Sequence, residues 1–184
     1  MPFPPKTNSD AIVNTAAALV QTDGLAALSM RTLALRLGVR ASSLYRHFPD
    51  RAAIETALAE RAANQIAMAM ESAAAETDGE RALFNAARKY LDYAASNPAL
   101  YSLLMATNDS VSRPVWELLL RLVSQATNSP LDEAGATAFW SFLHGFVALE
   151  QKGHLGPSPS KLTFVRGTQA LVRGLSGAKS AATT

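Results

Sequence analysis

Residues 29–51, SMRTLALRLGVRASSLYRHFPDR, constrain the fold of this 184-residue chain more than any other segment. Two short helical stretches flank Gly38, and glycine tolerates the left-handed conformation that a tight turn after a helix requires. Ala34 adds no bulk where the two helices would cross. The apolar positions that would hold one helix across the other are Leu33, Leu37, Val39 and Leu44. The segment therefore predicts a helix-turn-helix.

The charge of this segment differs from that of the whole chain. Seventeen Lys and Arg against fifteen Asp and Glu leave a net charge of only +2, which by itself does not indicate a nucleic-acid partner. Residues 29–48, however, contain four arginines and no acid. A compact basic unit with short polar side chains on its second helix is typical of a protein that reads the major groove of DNA. A basic face that is merely solvated is the alternative, and charge alone does not decide between them.

These residues resemble the TetR family of bacterial transcriptional repressors. Its signature runs from an alanine and a glycine-valine turn into a leucine-tyrosine-x-histidine-phenylalanine segment, which Leu44, Tyr45, His47 and Phe48 match. The resemblance covers roughly residues 10–60, and afterwards only residues 140–145, WSFLHG, resemble a C-terminal subfamily named for its Trp, His and Gly. It implies a repressor that binds double-stranded operator DNA as a homodimer and responds to a small-molecule effector.

Nine residues of the basic unit are predicted to face DNA. In a helix-turn-helix the first helix lies across the phosphate backbone and the second presents its start to base edges, so we expect Ser42 and Ser43 to approach bases. Arg46, one turn beyond Ser42 on the same helix, is expected to reach a guanine edge or a phosphate. Arg40 stands where the family often has a capping serine, and Arg51 where it usually has a lysine near phosphate. The predicted set is Arg31, Thr32, Arg40, Ser42, Ser43, Tyr45, Arg46, His47 and Arg51.

Helical periodicity continues through the rest of the chain, and no run alternates between apolar and polar residues as a strand would. We predict an all-α protein of about nine helices, with a three-helix N-terminal head and a C-terminal helical bundle. The predicted domains are a DNA-binding domain at residues 1–50, an effector-binding and dimerisation domain at 51–176, and a disordered tail at 177–184.

The part of the chain after the head is rich in aromatic side chains. Aromatic residues at helical spacing usually fill a core, and for any single one of them this is the simpler interpretation. Taken together and with the resemblance, they favour an effector pocket among the helices between residues 83 and 151. The predicted ligand-binding residues are Tyr90, Tyr101, Met105, Trp116, Trp140, His144 and Gln151.

The last two long helices are apolar on more than one face, and a monomer would leave one of these faces in water. The resemblance implies that the two helices pair with a second copy of the chain, and Gly145 would permit close helix approach. One fully buried helix is the alternative. The predicted dimerisation residues are Phe139, Phe142, Phe146, Leu149, Phe164, Leu171 and Val172.

The sequence contains few motifs that would indicate a function other than DNA binding. It has no cysteine, glycine-rich phosphate loop or nucleophile elbow, so we expect neither an enzyme nor a cofactor. No metal site is expected from His144, Glu150 and His154, because Gly153 should end the helix between them. The absence of a membrane-length apolar run or signal-peptide core favours a cytoplasmic protein. The remaining alternatives are a helical adaptor for another protein and a repressor without an effector.

Overall fold

The computed structural model describes residues 8–107, 112–156 and 160–177. Within these ranges the secondary structure is helical, with no strand, as the periodicity predicted. The helices are α1 (Ser9–Asp23), α2 (Met30–Leu37), α3 (Ala41–Leu44), α4 (Arg51–Ala74), α5 (Gly79–Ser96), α6 (Pro98–Ala106), α7 (Arg113–Thr127), α8 (Glu133–Gln151) and α9 (Ser160–Gly177), with a 3-10 turn at Leu25–Ala27. None of the helices in the described ranges is long and apolar enough to cross a bilayer.

The described residues form two compact units. The first unit holds residues 8–63 and 97–107, and the second holds residues 64–96, 112–156 and 160–177. In the first unit α6 packs against α1, and the Gln21 side-chain amide donates to Asn97 Oδ1 at 2.6 Å. The predicted domain division after residue 50 remains a prediction. Residues 178–184 of the predicted tail lie outside the described residues.

Polar side chains set the starts of three helices in the first unit. Asn8 Oδ1 accepts the N–H of Ala11 at 2.7 Å before α1, and Ser29 Oγ accepts the N–H of Thr32 at 3.0 Å before α2. Asp50 does the same for α4, where its Oδ1 accepts the N–H of Ala53 at 2.8 Å. Each bond satisfies an N–H group that the first turn of a helix leaves without an intrahelical acceptor, which fixes where the helix begins.

Aromatic side chains dominate the packing between α8 and α9 in the second unit. Phe139 and Phe164 are fully buried. The rings of Phe146 and Phe164 meet edge to face, with their centroids 5.0 Å apart, and Phe142 stacks on Phe164 at 5.8 Å. Contacts of this kind add to the free energy gained by burial alone. The two helices are therefore joined by a continuous aromatic core.

Candidate nucleic-acid interface

α2 and α3 form the predicted helix-turn-helix, and Gly38 makes the turn between them. Gly38 has φ 67° and ψ 29°, in the left-handed region, and its N–H donates to the carbonyl oxygens of Ala34 and Leu35. The N–H of Val39 donates to Ala34 O at 3.0 Å, so the last carbonyls of α2 are satisfied. A β-carbon at residue 38 would meet nothing within 4 Å. Backbone conformation, and not lack of space, therefore favours glycine here.

The helix-turn-helix is held together by the leucines that the spacing predicted. Leu33 on α2 and Leu44 on α3 are fully buried, and the two helices pack against each other. Leu37 and Val39 are half-buried around the turn. Leu35 is instead 80% exposed, which the apolar pattern did not predict because leucine usually signals the inner face.

α3 is shorter than we expected. It ends at Leu44, and residues 45–47 continue as a turn in which the N–H groups of His47 and Phe48 both donate to Leu44 O at 2.9 Å. Pro49 disfavours helical backbone at Phe48, so a helix cannot continue beyond this turn. Arg46, predicted to lie on the same helix as Ser42, therefore lies in the turn that follows α3, and that expectation was wrong.

The nine residues predicted to face DNA all lie in the first unit. Exposed side chains are those of Arg31, Arg40, Ser42, Tyr45, Arg46, His47 and Arg51, while Thr32 and Ser43 are half-buried. Tyr45 is 54% exposed, a large fraction for an aromatic residue with no charge to solvate. The Thr32 hydroxyl lies 2.7 Å from Ser29 Oγ, so it also belongs to the cap of α2.

The arginines of the basic segment divide into two groups. Arg36 Nη2 donates to Asp23 Oδ2 at 2.7 Å, and Arg51 Nε donates to Glu55 Oε1 at 2.7 Å. The remaining three make no ion pair and no side-chain hydrogen bond to any residue in the described ranges; they are Arg31, Arg40 and Arg46. Arg40 precedes α3 at the capping position without a side-chain capping bond, as expected for arginine. Within the part of the chain that the structure describes, three exposed positive charges thus have no acid at ion-pairing distance.

His47 lies near the start of α1. Its Nδ1 is 3.5 Å from Ser9 Oγ, although 38 residues separate the two in sequence. This contact brings the first turn of α1 beside the segment that follows α3. Local spacing in the sequence carries no signal for such a contact, and for this reason Ser9 was absent from the predicted site.

The predicted ligand-binding residues are divided between the two units. Tyr101 and Met105 lie on α6 in the first unit, the former buried and the latter half-buried. The others lie in the second unit, where Tyr90 is buried, Trp116, Trp140 and His144 are half-buried, and Gln151 is exposed. The structure brings the indole rings of Trp116 and Trp140 together in a stack with centroids 5.5 Å apart.

Three surface grooves of the second unit are lined by residues other than the predicted ligand-binding residues. Their volumes are about 580, 560 and 630 Å³. The largest of the three lies between α5 and α9, and Phe84 contributes to its lining. These grooves therefore add no support to the predicted ligand-binding residues.

The burial of side chains within one chain reduces the number of predicted dimerisation residues that can contact a second copy. Phe139, Phe146, Phe164 and Val172 are buried within a single chain, Phe142 and Leu171 are half-buried, and Leu149 is exposed. A side chain that is buried in its own chain is not available to a second copy. Contact between copies through this set is left to Phe142, Leu149 and Leu171. Leu162 on α9, which is 55% exposed, is a further apolar side chain that the prediction omitted.

The fold and the exposed arginines define a helix-turn-helix regulator, and comparison with known proteins agrees. Residues 12–58 match the model of bacterial regulatory proteins of the tetR family, and residues 83–171 match that of the tetracyclin repressor-like C-terminal domain. The chain is 30% identical over 148 residues to the HTH-type transcriptional regulator YobS of Bacillus subtilis (strain 168), covering 77% of this chain and 78% of YobS. The protein belongs to the TetR family of transcriptional regulators.

Solved structures show the same fold at lower identity. A protein from Rhodococcus sp. RHA1 superposes with a TM-score of 0.82 at 23% identity, covering 95% of this chain and 100% of that chain. A possible TetR family transcriptional regulator from Streptomyces coelicolor A3(2) superposes with a TM-score of 0.73 at 22% identity, covering 92% and 98%. The resemblance of residues 140–145 to the Trp, His and Gly subfamily stays a prediction, because the C-terminal match is to a differently named domain.

Proposed function

We propose that this protein is a ligand-responsive transcriptional repressor that binds a near-palindromic operator as a homodimer. The observation that carries the DNA-binding part is the trio Arg31, Arg40 and Arg46 around the helix-turn-helix, whose side chains have no ion-pair or hydrogen-bond partner among the described residues. Charge that is not offset within the protein attracts phosphate, and the release of counterions from DNA then favours binding at low salt.

The proposed contacts divide into those that position the protein and those that read sequence. Arg31, Thr32 and Tyr45 contact phosphates along α2 and after α3, and these contacts set the register on the duplex. Ser42 and Ser43, at the start of α3, approach the bases. Arg46 reaches a guanine edge or a phosphate from the turn that follows.

Two further contacts with phosphate complete the proposed interface. Arg40 has no capping bond to hold it, so its guanidinium extends the phosphate contacts before α3. His47 contacts phosphate beside the first turn of α1, where Ser9 lies 3.5 Å from its ring. Arg51 was predicted to contact phosphate as well. Its guanidinium instead donates to Glu55 and to the carbonyl oxygen of Leu25, so Arg51 is not one of the proposed phosphate contacts.

A homodimer would present two such heads to one operator. Half-buried Phe142 and Leu171, with exposed Leu149 and Leu162, supply apolar surface on α8 and α9 for a contact between copies. Two heads related by a two-fold axis require a near-palindromic site with half-site centres a multiple of ~34–36 Å apart.

The proposed effector is a small, mostly apolar molecule that binds beside the stacked pair Trp116 and Trp140. We take α4, the helix that follows the helix-turn-helix, as the route by which an effector would alter the heads. Release by about a hundredfold requires about 2.7 kcal/mol of coupling between the two sites. Because its target is chromosomal DNA, we place the protein in the cytoplasm.

Selection of bound fragments from genomic DNA by the purified protein tests this proposal. We expect the recovered fragments to share one near-palindromic sequence, and the variant Arg31→Ala/Arg40→Ala/Arg46→Ala to recover none. Arg81→Ala is the control, because it removes one exposed arginine of α5 in the second unit, which lies outside the proposed interface. Recovery of fragments without a common sequence by the wild-type protein would refute the proposal.

A further inference from the structure

We propose that Arg51 is a positioning residue, which aids operator recognition by holding the turn before α2 against the start of α4. This inference rests on the proposed DNA-binding function. Arg51 is the first residue of α4, and its guanidinium makes two bonds within the first unit. Nε donates to Glu55 Oε1 at 2.7 Å, and Nη2 donates to the carbonyl oxygen of Leu25 at 3.2 Å.

The carbonyl of Leu25 belongs to the 3-10 turn that joins α1 to α2. The same oxygen accepts the N–H of Leu28 at 3.1 Å, so both of its lone pairs are used. Leu28 is fully buried, and Ser29, the next residue, caps α2. A bond from Arg51 to this carbonyl therefore ties the start of α4 to the turn that sets where α2 begins.

The turn before α2 is anchored from two directions. Gly24 has φ 80° and ends α1, and its neighbours Asp23 and Leu25 each accept a bond from an arginine. Asp23 is bonded to Arg36 of α2 at 2.7 Å, and Leu25 to Arg51 of α4. Two of the arginines in the basic segment thus hold α1, α2 and α4 in one arrangement, while the other three remain available to DNA.

The two bonds of Arg51 require a guanidinium. Its donors lie on three nitrogen atoms in a fixed plane, so one side chain can reach a carboxylate and a carbonyl through different nitrogens. A lysine ammonium has a single nitrogen and no fixed plane. Lysine would therefore keep the charge of Arg51 and lose the paired geometry, and this difference separates a positioning role from a phosphate contact.

A substitution at Glu55 also distinguishes a positioning role of Arg51 from a phosphate contact, because the two roles predict opposite effects for Glu55→Gln. If Arg51 contacts phosphate, the loss of the neighbouring negative charge strengthens binding to every duplex. If Arg51 positions the turn, the loss of its charged partner weakens binding to the operator and not to a random duplex. Glu60→Gln is the matched control, since Glu60 is an exposed acid of α4 without an ion pair among the described residues.

The experiment measures binding of the full-length protein to its operator and to a random duplex of equal length over a range of salt concentrations. For Arg51→Ala, Arg51→Lys and Glu55→Gln we expect the operator-to-random affinity ratio to fall by about two- to fivefold, the scale of one exposed ion pair, with the salt dependence unchanged. The ratio for Glu60→Gln should equal that of the wild type. Circular dichroism at the same temperature confirms that each variant is folded.

An unchanged ratio in these variants overturns the inference. The inference is also overturned if Arg51→Ala weakens binding to both duplexes equally and lowers the salt slope by about 0.9, the value for one phosphate, while Arg51→Lys retains the wild-type slope. This pattern would show that Arg51 contacts phosphate. A wild-type protein that binds no duplex at low salt overturns the proposed function, and this inference with it. An unchanged ratio in a protein that still binds duplex DNA overturns only the role of Arg51 and not the proposed function. The failure of this inference can therefore be distinguished from the failure of the proposed function.

Discussion

The ring of Phe142 on α8 lies where a β-carbon at Gly167 on α9 would be. Such a β-carbon would come within 2.7 Å of Phe142 Cζ and 2.9 Å of Cε2. The ring has little freedom to move aside, since it stacks on Phe164 at 5.8 Å and contacts Phe146 at 6.2 Å. The absence of a side chain at residue 167 therefore sets how closely α8 and α9 approach.

Gly167→Ala should destabilise the protein, by about 1–3 kcal/mol, because the added methyl overpacks the aromatic core. Gly174→Ala is the matched control on the same helix, where a β-carbon would meet nothing within 4 Å. There alanine should stabilise by about 0.5–1 kcal/mol, since it restricts the unfolded chain. Urea unfolding monitored by circular dichroism measures both changes. Equal shifts of the two midpoints would contradict the packing described here.

Arg46→Ala and Arg31→Ala should affect DNA binding in different ways. Arg31→Ala should weaken all duplexes about equally and reduce the salt slope by about 0.9 for each phosphate that the variant no longer touches. Arg46→Ala should change which bases are preferred, by about 1–3 kcal/mol if its contact to guanine is bidentate. Affinities across a series of operator mutants measure the difference. If these relative affinities stay unchanged in Arg46→Ala, Arg46 does not read bases. Arg81→Ala, on α5 of the second unit, serves as the control.

Leu149→Asp should separate the proposed homodimer without unfolding the chain, because Leu149 is 46% exposed on α8. A charge placed in an apolar contact between copies loses hydration with no partner to replace it. Leu131→Asp is the control, since Leu131 is an exposed leucine of the second unit that precedes α8. Sedimentation velocity at micromolar concentration should show a dimer for the wild type and the control and a monomer for Leu149→Asp. A monomeric wild type would count against the dimer.

Trp116→Ala and Trp140→Ala should reduce the response to an effector and leave DNA affinity without effector intact. These are the only two tryptophans of the chain, so intrinsic fluorescence reports directly on the stacked pair as a panel of small aromatic and hydrophobic compounds is titrated. Phe84→Ala is the control, a half-buried aromatic residue outside the stack. Coupling is reciprocal, so operator DNA should weaken effector binding by the same factor. DNA binding that is indifferent to the whole panel would favour a repressor without an effector.

Much of the head follows from local sequence. The turn at Gly38 and the burial of Leu33 and Leu44 depend on conformational preferences and spacings within a few residues, and the structure confirms them. The helical class of the whole chain follows from periodicity in the same way. Local patterns of this kind report on which element forms, and on which of its faces is apolar.

Other features depend on contacts between distant residues and left no local signal. The bond from Arg51 to Leu25 spans 26 residues, so the sequence carried no sign of it, and the family resemblance predicted a phosphate contact for Arg51 instead. Similarly, the apolar faces of α8 and α9 predicted contact with a second copy, whereas Phe139 and Phe164 are buried in their own chain. Periodicity marks an apolar face and does not say which surface covers it.

The salt dependence of binding to duplex DNA tests the central claim most directly, since it separates a DNA-binding regulator from a helical adaptor for another protein. We predict that the purified protein binds its operator at about 50 mM salt, and that the logarithm of the affinity falls linearly with the logarithm of salt concentration, by about 0.9 for each phosphate contacted. Arg31→Ala/Arg40→Ala/Arg46→Ala should flatten this line, and Arg81→Ala should not. No binding to any duplex at low salt, or binding that does not change with salt, would contradict a DNA-binding function.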